Sequence, residues 1–144
     1  MDSLTTAAVL PISGCTAVFV HQNGGRIALE LLAPGGRLLT VSSDSLLDTT
    51  LVRGAWHGVR VDSRGFHRRW SLAIGHCTEL AELGVRFDHR RLLIAGPTLA
   101  LEPIRRGVFW IAEAEGTFTH VAARSGARTD ILRLSAVRDR EVRS

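Results

Sequence analysis

Residues 53–75 read RGAWHGVRVDSRGFHRRWSLAIG and carry the clearest structural signal in the chain. Apolar and polar residues alternate on both sides of Asp62–Gly65, which is typical of a short hairpin loop whose glycine adopts a left-handed conformation. Pairing Val61 with Phe66 places the apolar residues together on one side: Val59, Val61, Phe66, Trp70, Leu72 and Ile74. A shift by one residue would mix arginines with aromatics, so we expect this register and a core position for Trp70.

The opposite side of this hairpin carries basic and aromatic side chains. With the register above, Trp56, Arg60, His67 and Arg69 share one face. Tryptophan flanked by arginine is typical of protein interfaces and of surfaces that stack on nucleic-acid bases. We therefore predict a binding surface formed by Trp56, Arg60, His67 and Arg69. The alternative is that Trp56 is buried under a neighbouring loop or second sheet while the arginines only solvate the edge.

Outside this hairpin the same alternation recurs in short segments. Asn23-Gly24 predicts a two-residue turn within 16–32, which pairs Val18 with Leu29. Ala33–Gly36 predicts a type II turn into a third strand. Residues 108–123 predict a further hairpin turning at Glu115-Gly116, with apolar residues on both faces, as in a strand covered on both sides.

A few segments do not alternate. Cys77–Gly84 is the one short helical piece, with Thr78 as its cap, and 43–48 forms a connection with one helical turn at most. Gly96-Pro97 predicts a break between two strands.

About nine to eleven short strands at intervals of about 8–12 residues indicate an all-β fold. We expect an antiparallel two-sheet β-sandwich, or alternatively a small closed β-barrel, with at most one or two short helical turns. The length of 144 residues fits a single domain. Residues 1–137 are expected to form it, followed by a charged C-terminal tail at 138–144.

Composition limits the possible partners and compartments. Hydrophobic residues make up 45% of the chain, enough for a packed core, and no apolar run reaches the length of a membrane helix. All 18 basic residues are arginine and the net charge is +4, which reflects either the codon usage of a GC-rich bacterial genome or arginine chosen for phosphate and carboxylate contacts. The N-terminus lacks the positive region of a secretory signal, so we predict a cytoplasmic protein with reduced Cys15 and Cys77.

No pattern of a catalytic or metal site is present in the sequence. The six histidines never occur at HxH or HxxxH spacing, and His76-Cys77 are neighbours that point to opposite faces in a strand. There is no nucleotide-binding glycine loop and no nucleophile elbow. The prediction is therefore no catalytic residue, no metal and no cofactor, although a site assembled from distant residues stays open.

Residues 113–118, EAEGTF, resemble the acidic-x-x-Gly-x-aromatic run at a strand corner of bacterial immunoglobulin-like sandwiches. In that family the aromatic is usually a tyrosine, whereas this chain has Phe118. Trp70 is similar to the family's buried core tryptophan. The resemblance implies a binding or structural module.

These observations favour a non-catalytic interaction or structural module that associates with its own copies or docks onto a partner protein. One alternative is a nucleic-acid-binding β-barrel that uses the Trp56 and arginine face. Another is a small-ligand-binding or enzymatic β-barrel. Open sheet edges must be covered or paired, and association between copies is one way to do so.

Overall fold

A computed structural model of the chain describes residues 5–22, 24–43, 50–78, 81–91 and 94–137. These residues form thirteen β-strands joined by turns. In chain order the strands are β1 (Thr5–Val9), β2 (Thr16–His21), β3 (Ile27–Leu32), β4 (Leu38–Ser43), β5 (Val52–Val61), β6 (His67–His76), β7 (Gly84–Arg91), β8 (Ile94–Leu101), β9 (Ile104–Arg106), β10 (Phe109–Glu115), β11 (His120–Ser125), β12 (Arg128–Arg133) and β13 (Ser135–Ala136). Within these residues we find no helix with the length and apolar character needed to cross a membrane.

The strands are arranged in three sheets. The first sheet has the order β1-β2-β3-β4, the middle sheet β13-β5-β6-β10-β9, and the third sheet β12-β11-β7-β8. Strand β13 runs parallel to β5, and the other paired strands are antiparallel. The described strands of each sheet end in two edges, so the alternative of a small closed barrel is wrong. The all-β sandwich is confirmed, with a third sheet in addition to the two expected.

The middle sheet is buried on both faces, so that one core lies on each side of it. The core towards the first sheet includes Phe19, Leu29, Leu31, Trp70, Leu72, Ile74, Phe109 and Ile111. The core towards the third sheet includes Val52, Ala73, Val85, Phe87, Trp110, Ala112, Val121 and Ala123. A strand buried on both faces needs apolar residues at successive positions, and β10 provides them with FWIA at 109–112. The core position predicted for Trp70 is confirmed, since the residue is 2% exposed.

The β5–β6 hairpin has a register one residue away from the expected one. Val61 pairs with His67 and Gly58 with Trp70. Asp62 continues the pairing just beyond β5, because its N–H donates to the carbonyl of Phe66 at 2.9 Å, and only 63–65 form the loop. The positive φ of Gly65, 81°, is as predicted. The prediction of a fully apolar face fails because the outer half of the hairpin is exposed and tolerates polar residues on either side.

The β2–β3 hairpin is shifted in the same way. Gln22 N–H donates to the carbonyl of Arg26 at 2.7 Å, so the loop is one residue longer than the two-residue turn expected at Asn23-Gly24. Asn23 itself lies outside the described residues. Phe19 pairs with Leu29, and both are buried in the core. The type II turn at Ala33–Gly36 is confirmed by the bond from Gly36 N–H to Ala33 O and by a φ of 93° at Gly35.

The expected hairpin over 108–123 does not form. Strand β10 pairs with β6 and β9 in the middle sheet, whereas β11 pairs with β7 and β12 in the third. The chain crosses between the sheets at 116–119, anchored by Ser71, whose hydroxyl donates to Gly116 O and accepts from Phe118 N–H. The ring of Phe118 lies 5.5 Å from that of Phe87 in the second core. Both faces of β10 are buried, one in each core.

Two further expectations are wrong. Gly96-Pro97 lies inside β8 and does not break it, because β8 is an edge strand, where proline is tolerated. The described part of the expected helix at Cys77–Gly84 is not helical, and Gly84 begins β7. Residues 79–80 of that piece, 44–48 of the expected connection and the tail at 138–144 lie outside the described residues.

A carboxylate fastens the first sheet to the middle sheet. Glu113 on β10 accepts hydrogen bonds from the backbone N–H of Ile12, at 2.8 Å, and of Ser13, at 2.9 Å. These two residues belong to the turn between β1 and β2. Because an ionised acceptor makes stronger hydrogen bonds than a neutral one, Glu113 fixes this turn firmly against the middle sheet.

Candidate interaction surface

Trp56 is half-buried between the first and middle sheets. It lies opposite Leu72 on β5, and its ring covers Gly54. The side chain packs against the first core and lines a cavity of about 240 Å³ together with Leu38, Leu39 and Val137. Strand β13 pairs alongside β5 at this position, so Trp56 is partly covered by the first sheet and by β13.

The arginines near Trp56 have partners within the protein. Arg60 donates from Nη1 to the carbonyl of Pro11 at 3.0 Å, and its guanidinium lies against Gly14. Arg68 donates to Asp62 at 3.0 Å and to Glu115 at 3.3 Å. The bond from Arg68 is the main reason that the pKa of Asp62 lies below its usual value.

The four residues predicted to bind a partner do not share one face. Trp56 and Arg60 lie on the side of the hairpin that faces the first sheet. His67 and Arg69 pair with Val61 and Val59 on the opposite side, and all four of these are exposed. The expectation of a single surface is therefore wrong, because the register differs by one residue. A binding role for any one of the four stays a prediction.

Ser42 and His76 form a buried pair that looks like a nucleophile and its base. Ser42 Oγ lies 3.1 Å from His76 Nε2. On the other side of the ring, Arg53 donates from Nε to His76 Nδ1 at 3.4 Å. Arginine has no lone pair to offer, so Nδ1 is the acceptor and Nε2 carries the proton. His76 in this tautomer donates to Ser42 and cannot take its proton, which is the reverse of what a catalytic serine needs.

A second polar cluster lies on the outer side of the third sheet. Buried Asp88 lies 2.9 Å from Arg86 Nε and 3.5 Å from Arg90 Nη2, in a geometry that makes no hydrogen bond. His120 lies directly opposite Asp88, and burial together with Arg90 and Arg133 lowers its pKa. Asp88 is the one carboxylate of this cluster, and Arg86, Arg90 and Arg133 outnumber it. Among the described residues, no three His, Cys, Asp or Glu side chains gather as a metal site would require.

The outer face of the first sheet is unusually apolar. Because side chains alternate along a strand, residues of one parity in β1–β4 point away from the core. The pairing places Val9, Thr16 and Leu32 in one row and Ala7, Val18, Glu30 and Val41 in the next. Val9 is 70% exposed and Val41 54%. Large apolar side chains collected on one open face usually mark a contact surface. We call the residues of these two rows the outer face.

Glu30 lies at the centre of the outer face. It is half-buried between Val18 and Val41, on the neighbouring strands. No described residue forms a hydrogen bond or ion pair with it, and no other ionisable residue of β1–β4 points to this side. The outer face thus combines apolar contact area with a single negative charge.

Two apolar runs in the sequence indicate this surface, although the register expected for the β2–β3 hairpin did not predict it. Residues 17–20, AVFV, and 28–32, ALELL, are apolar at nearly every position. Such runs indicate strands whose two faces both make contacts. One face packs on the middle sheet, and the other is partly exposed, with Val18, Glu30 and Leu32 half-buried.

Comparison of the chain with models of protein families, with curated proteins and with solved structures found no match.

Proposed function

We propose that this protein is a non-catalytic interaction module that docks onto a partner protein through the outer face. The observation that supports the proposal most strongly is the exposure of Val9 and Val41 on one side of the first sheet. Burial of each such side chain in an interface contributes roughly 1.5–3 kcal/mol. The face offers one carboxylate and no second ionisable group, so it favours contact over acid–base chemistry.

Glu30 indicates what the partner surface contains. A half-buried carboxylate that enters an interface without a partner loses its hydration at a large cost. The partner therefore presents an apolar surface with one arginine or lysine placed opposite Glu30. Two copies packed outer face to outer face would bring two Glu30 carboxylates together, and like charges disfavour that arrangement.

The alternatives receive less support from the geometry. A nucleic acid needs free cationic groups near an aromatic side chain, whereas Arg60, on the side of Trp56, donates to Pro11, and exposed Arg69 lies on the opposite side of the hairpin. Buried, free Cys15 and Cys77 suit a reducing compartment, which supports a cytoplasmic location.

Site-specific photocrosslinking tests the proposal. Val41 and Val61 are both exposed β-strand valines, 54% and 57% respectively, but only Val41 belongs to the outer face. A photoreactive side chain at position 41 should crosslink to a protein in source-cell lysate that mass spectrometry identifies. The same group at position 61 should not. Equal yields from the two positions, or none from position 41, would overturn the proposal.

The identified protein is then purified and titrated against variants. We expect Val41→Asp and Glu30→Arg each to weaken binding by at least about tenfold, because one places a charge in an apolar contact and the other repels the partner's cation. Val61→Asp is the matched control and should bind as the wild type does. An affinity unchanged by both outer-face variants would show that the crosslink was incidental.

A further inference from the structure

The backbone of β1 presents a row of unused hydrogen-bonding groups. In an antiparallel pair, the N–H and C=O of alternate residues point towards the neighbouring strand. Leu10 N–H donates to the carbonyl of Cys15, in register with the β1–β2 pairing. Thr6 and Ala8 therefore point towards β2, while Thr5, Ala7 and Val9 point outwards. Strand β1 is an edge of the first sheet, so no described strand takes up these three N–H and three C=O groups.

The other edges of the three sheets are protected against pairing with another strand. Natural proteins protect an edge with proline, a bulge, charged side chains or a very short strand. Strand β8 contains Pro97 and faces a bulge in β7, and the pairing of β4 is also interrupted by a bulge. Strand β12 carries two arginines and an aspartate. Strand β9 has three residues, two of them arginines, and β13 has two.

Strand β1 has none of these protections. Its sequence is TTAAV, with no charge and no proline. Its five residues pair with β2 without interruption, so the strand is regular up to its exposed edge. An edge of this kind is a template for a further strand.

We propose that β1 pairs antiparallel with β1 of a second copy of this chain, around a two-fold axis at Ala7. Ala7 then faces Ala7 of the second copy, and Thr5 faces its Val9. The outward groups of these three residues form six hydrogen bonds across the junction. The two first sheets become one sheet of eight strands, as expected for an isologous contact in which the same patch serves both partners.

The side chains at the junction suit a second copy in particular. Every pair across it is small and uncharged, so the strand is complementary to itself. The two Glu30 residues lie five strand spacings apart, about 24 Å. That separation exceeds the Debye length of about 8 Å at physiological salt, so the repulsion that disfavours contact between two outer faces does not act here. Both outer faces then lie on the same side of the combined sheet and remain open to partners.

Analytical ultracentrifugation tests the pairing. At about 100 μM, the wild type should sediment at twice the 15.7 kDa of the chain. Ala7→Pro should be a monomer, because proline removes an N–H that points outwards and is not used by β2. Ala7→Lys should also be a monomer. Ala100→Lys, on an exposed edge-strand alanine of the third sheet, is the control and should stay dimeric.

Amide hydrogen exchange locates the contact even if a variant folds poorly. In the wild type, the amides of Thr5, Ala7 and Val9 should be protected at high protein concentration and lose that protection on dilution. The amides of Thr6 and Ala8 should be protected at both concentrations, since they bond to β2. A wild type that is monomeric throughout, or a dimer that persists in Ala7→Pro and Ala7→Lys, would overturn the proposal.

The proposal is independent of partner docking. Val41→Asp should leave the dimer intact, and the affinity of the wild-type outer face for its partner should be the same above and below the concentration at which the chain dimerises. Failure of one proposal is thus distinguishable from failure of the other.

Discussion

The indole of Trp70 lies over Gly58, its partner across the β5–β6 ladder, so closely that a Cβ at Gly58 would be 2.5 Å from Cζ2 of the ring. The other two tryptophans also cover glycines, Gly54 and Gly75. Each large ring thus occupies the space left by a missing side chain. Glycine within a strand destabilises that strand. At these positions close packing of the tryptophan rings offsets this loss.

Gly58→Ala should destabilise the protein because the added methyl group overlaps the ring of Trp70. Overpacking of this kind costs about 1–3 kcal/mol. Gly84→Ala is the matched control: Gly84 begins a strand, and a Cβ there would meet nothing closer than 4.0 Å. Urea unfolding followed by tryptophan fluorescence measures both. Equal stability of the two variants would contradict the close contact.

Replacement of the two fully buried tryptophans by phenylalanine should have unequal costs. Trp110 Nε1 donates to the carbonyl of Leu51 at 2.9 Å, whereas Trp70 Nε1 has no hydrogen-bond partner among the described residues. Both variants lose ring volume, but only Trp110→Phe also loses a hydrogen bond. We expect Trp110→Phe to be the less stable by about 1 kcal/mol, measured from the midpoints of urea unfolding.

Glu113→Gln should loosen the first sheet from the middle sheet. The amide of glutamine has one acceptor oxygen, and its NH₂ group would face a backbone N–H that now bonds to a carboxylate. The expected loss is about 1–3 kcal/mol, as for a hydrogen bond to a charged group. Glu115→Gln, two residues further along the same strand, breaks only an exposed ion pair with Arg68 and should change stability little. Thermal melts of the two variants make the comparison.

The sequence predicts the strands and the fold class well because alternation and turn residues are local signals. Register was the main error, and its cause was also local. Asp62 can lie in the loop or pair with Phe66, and the sequence fits both arrangements. Because Asp62 pairs, the register differs by one residue, and His67 and Arg69 lie on the opposite side of the hairpin from Trp56 and Arg60.

The outer face was harder to predict because it depends on which strands share a sheet. The sequence alone does not distinguish exposed Val41 from buried Leu31, because both are apolar strand residues. Their difference in exposure arises because the first sheet lies at one side of the molecule. The crossing at Gly116 was hard to predict for the same reason. Its turn residues are compatible with a hairpin, but β11 pairs with β7 in the third sheet and not with β10.

Stability should fall in two steps as the pH decreases. Burial lowers the pKa of His57, and burial with neighbouring arginines lowers that of His120. Below about pH 6.5 the unfolded chain therefore binds protons on these residues that the folded chain does not, and the free energy of unfolding declines. The pKa of Asp62 is also lowered, mainly by Arg68, so a further loss follows below about pH 4. In the double variant His57→Gln/His120→Gln, the first decline of the urea midpoint should be smaller than in the wild type, and the second should be unchanged.

Ser42 should not react as an enzymatic nucleophile. Among the described residues, Ser42 Oγ contacts Nε2 of His76, which carries a proton because Arg53 donates to Nδ1. A fluorophosphonate probe should therefore label the folded protein no faster than it labels Ser42→Ala. Arg53→Asp is the sharper test, since a carboxylate beside Nδ1 would favour the opposite tautomer and free Nε2 to accept the serine proton. Labelling of wild-type Ser42 would overturn the tautomer assignment, and with it the argument that this pair is structural.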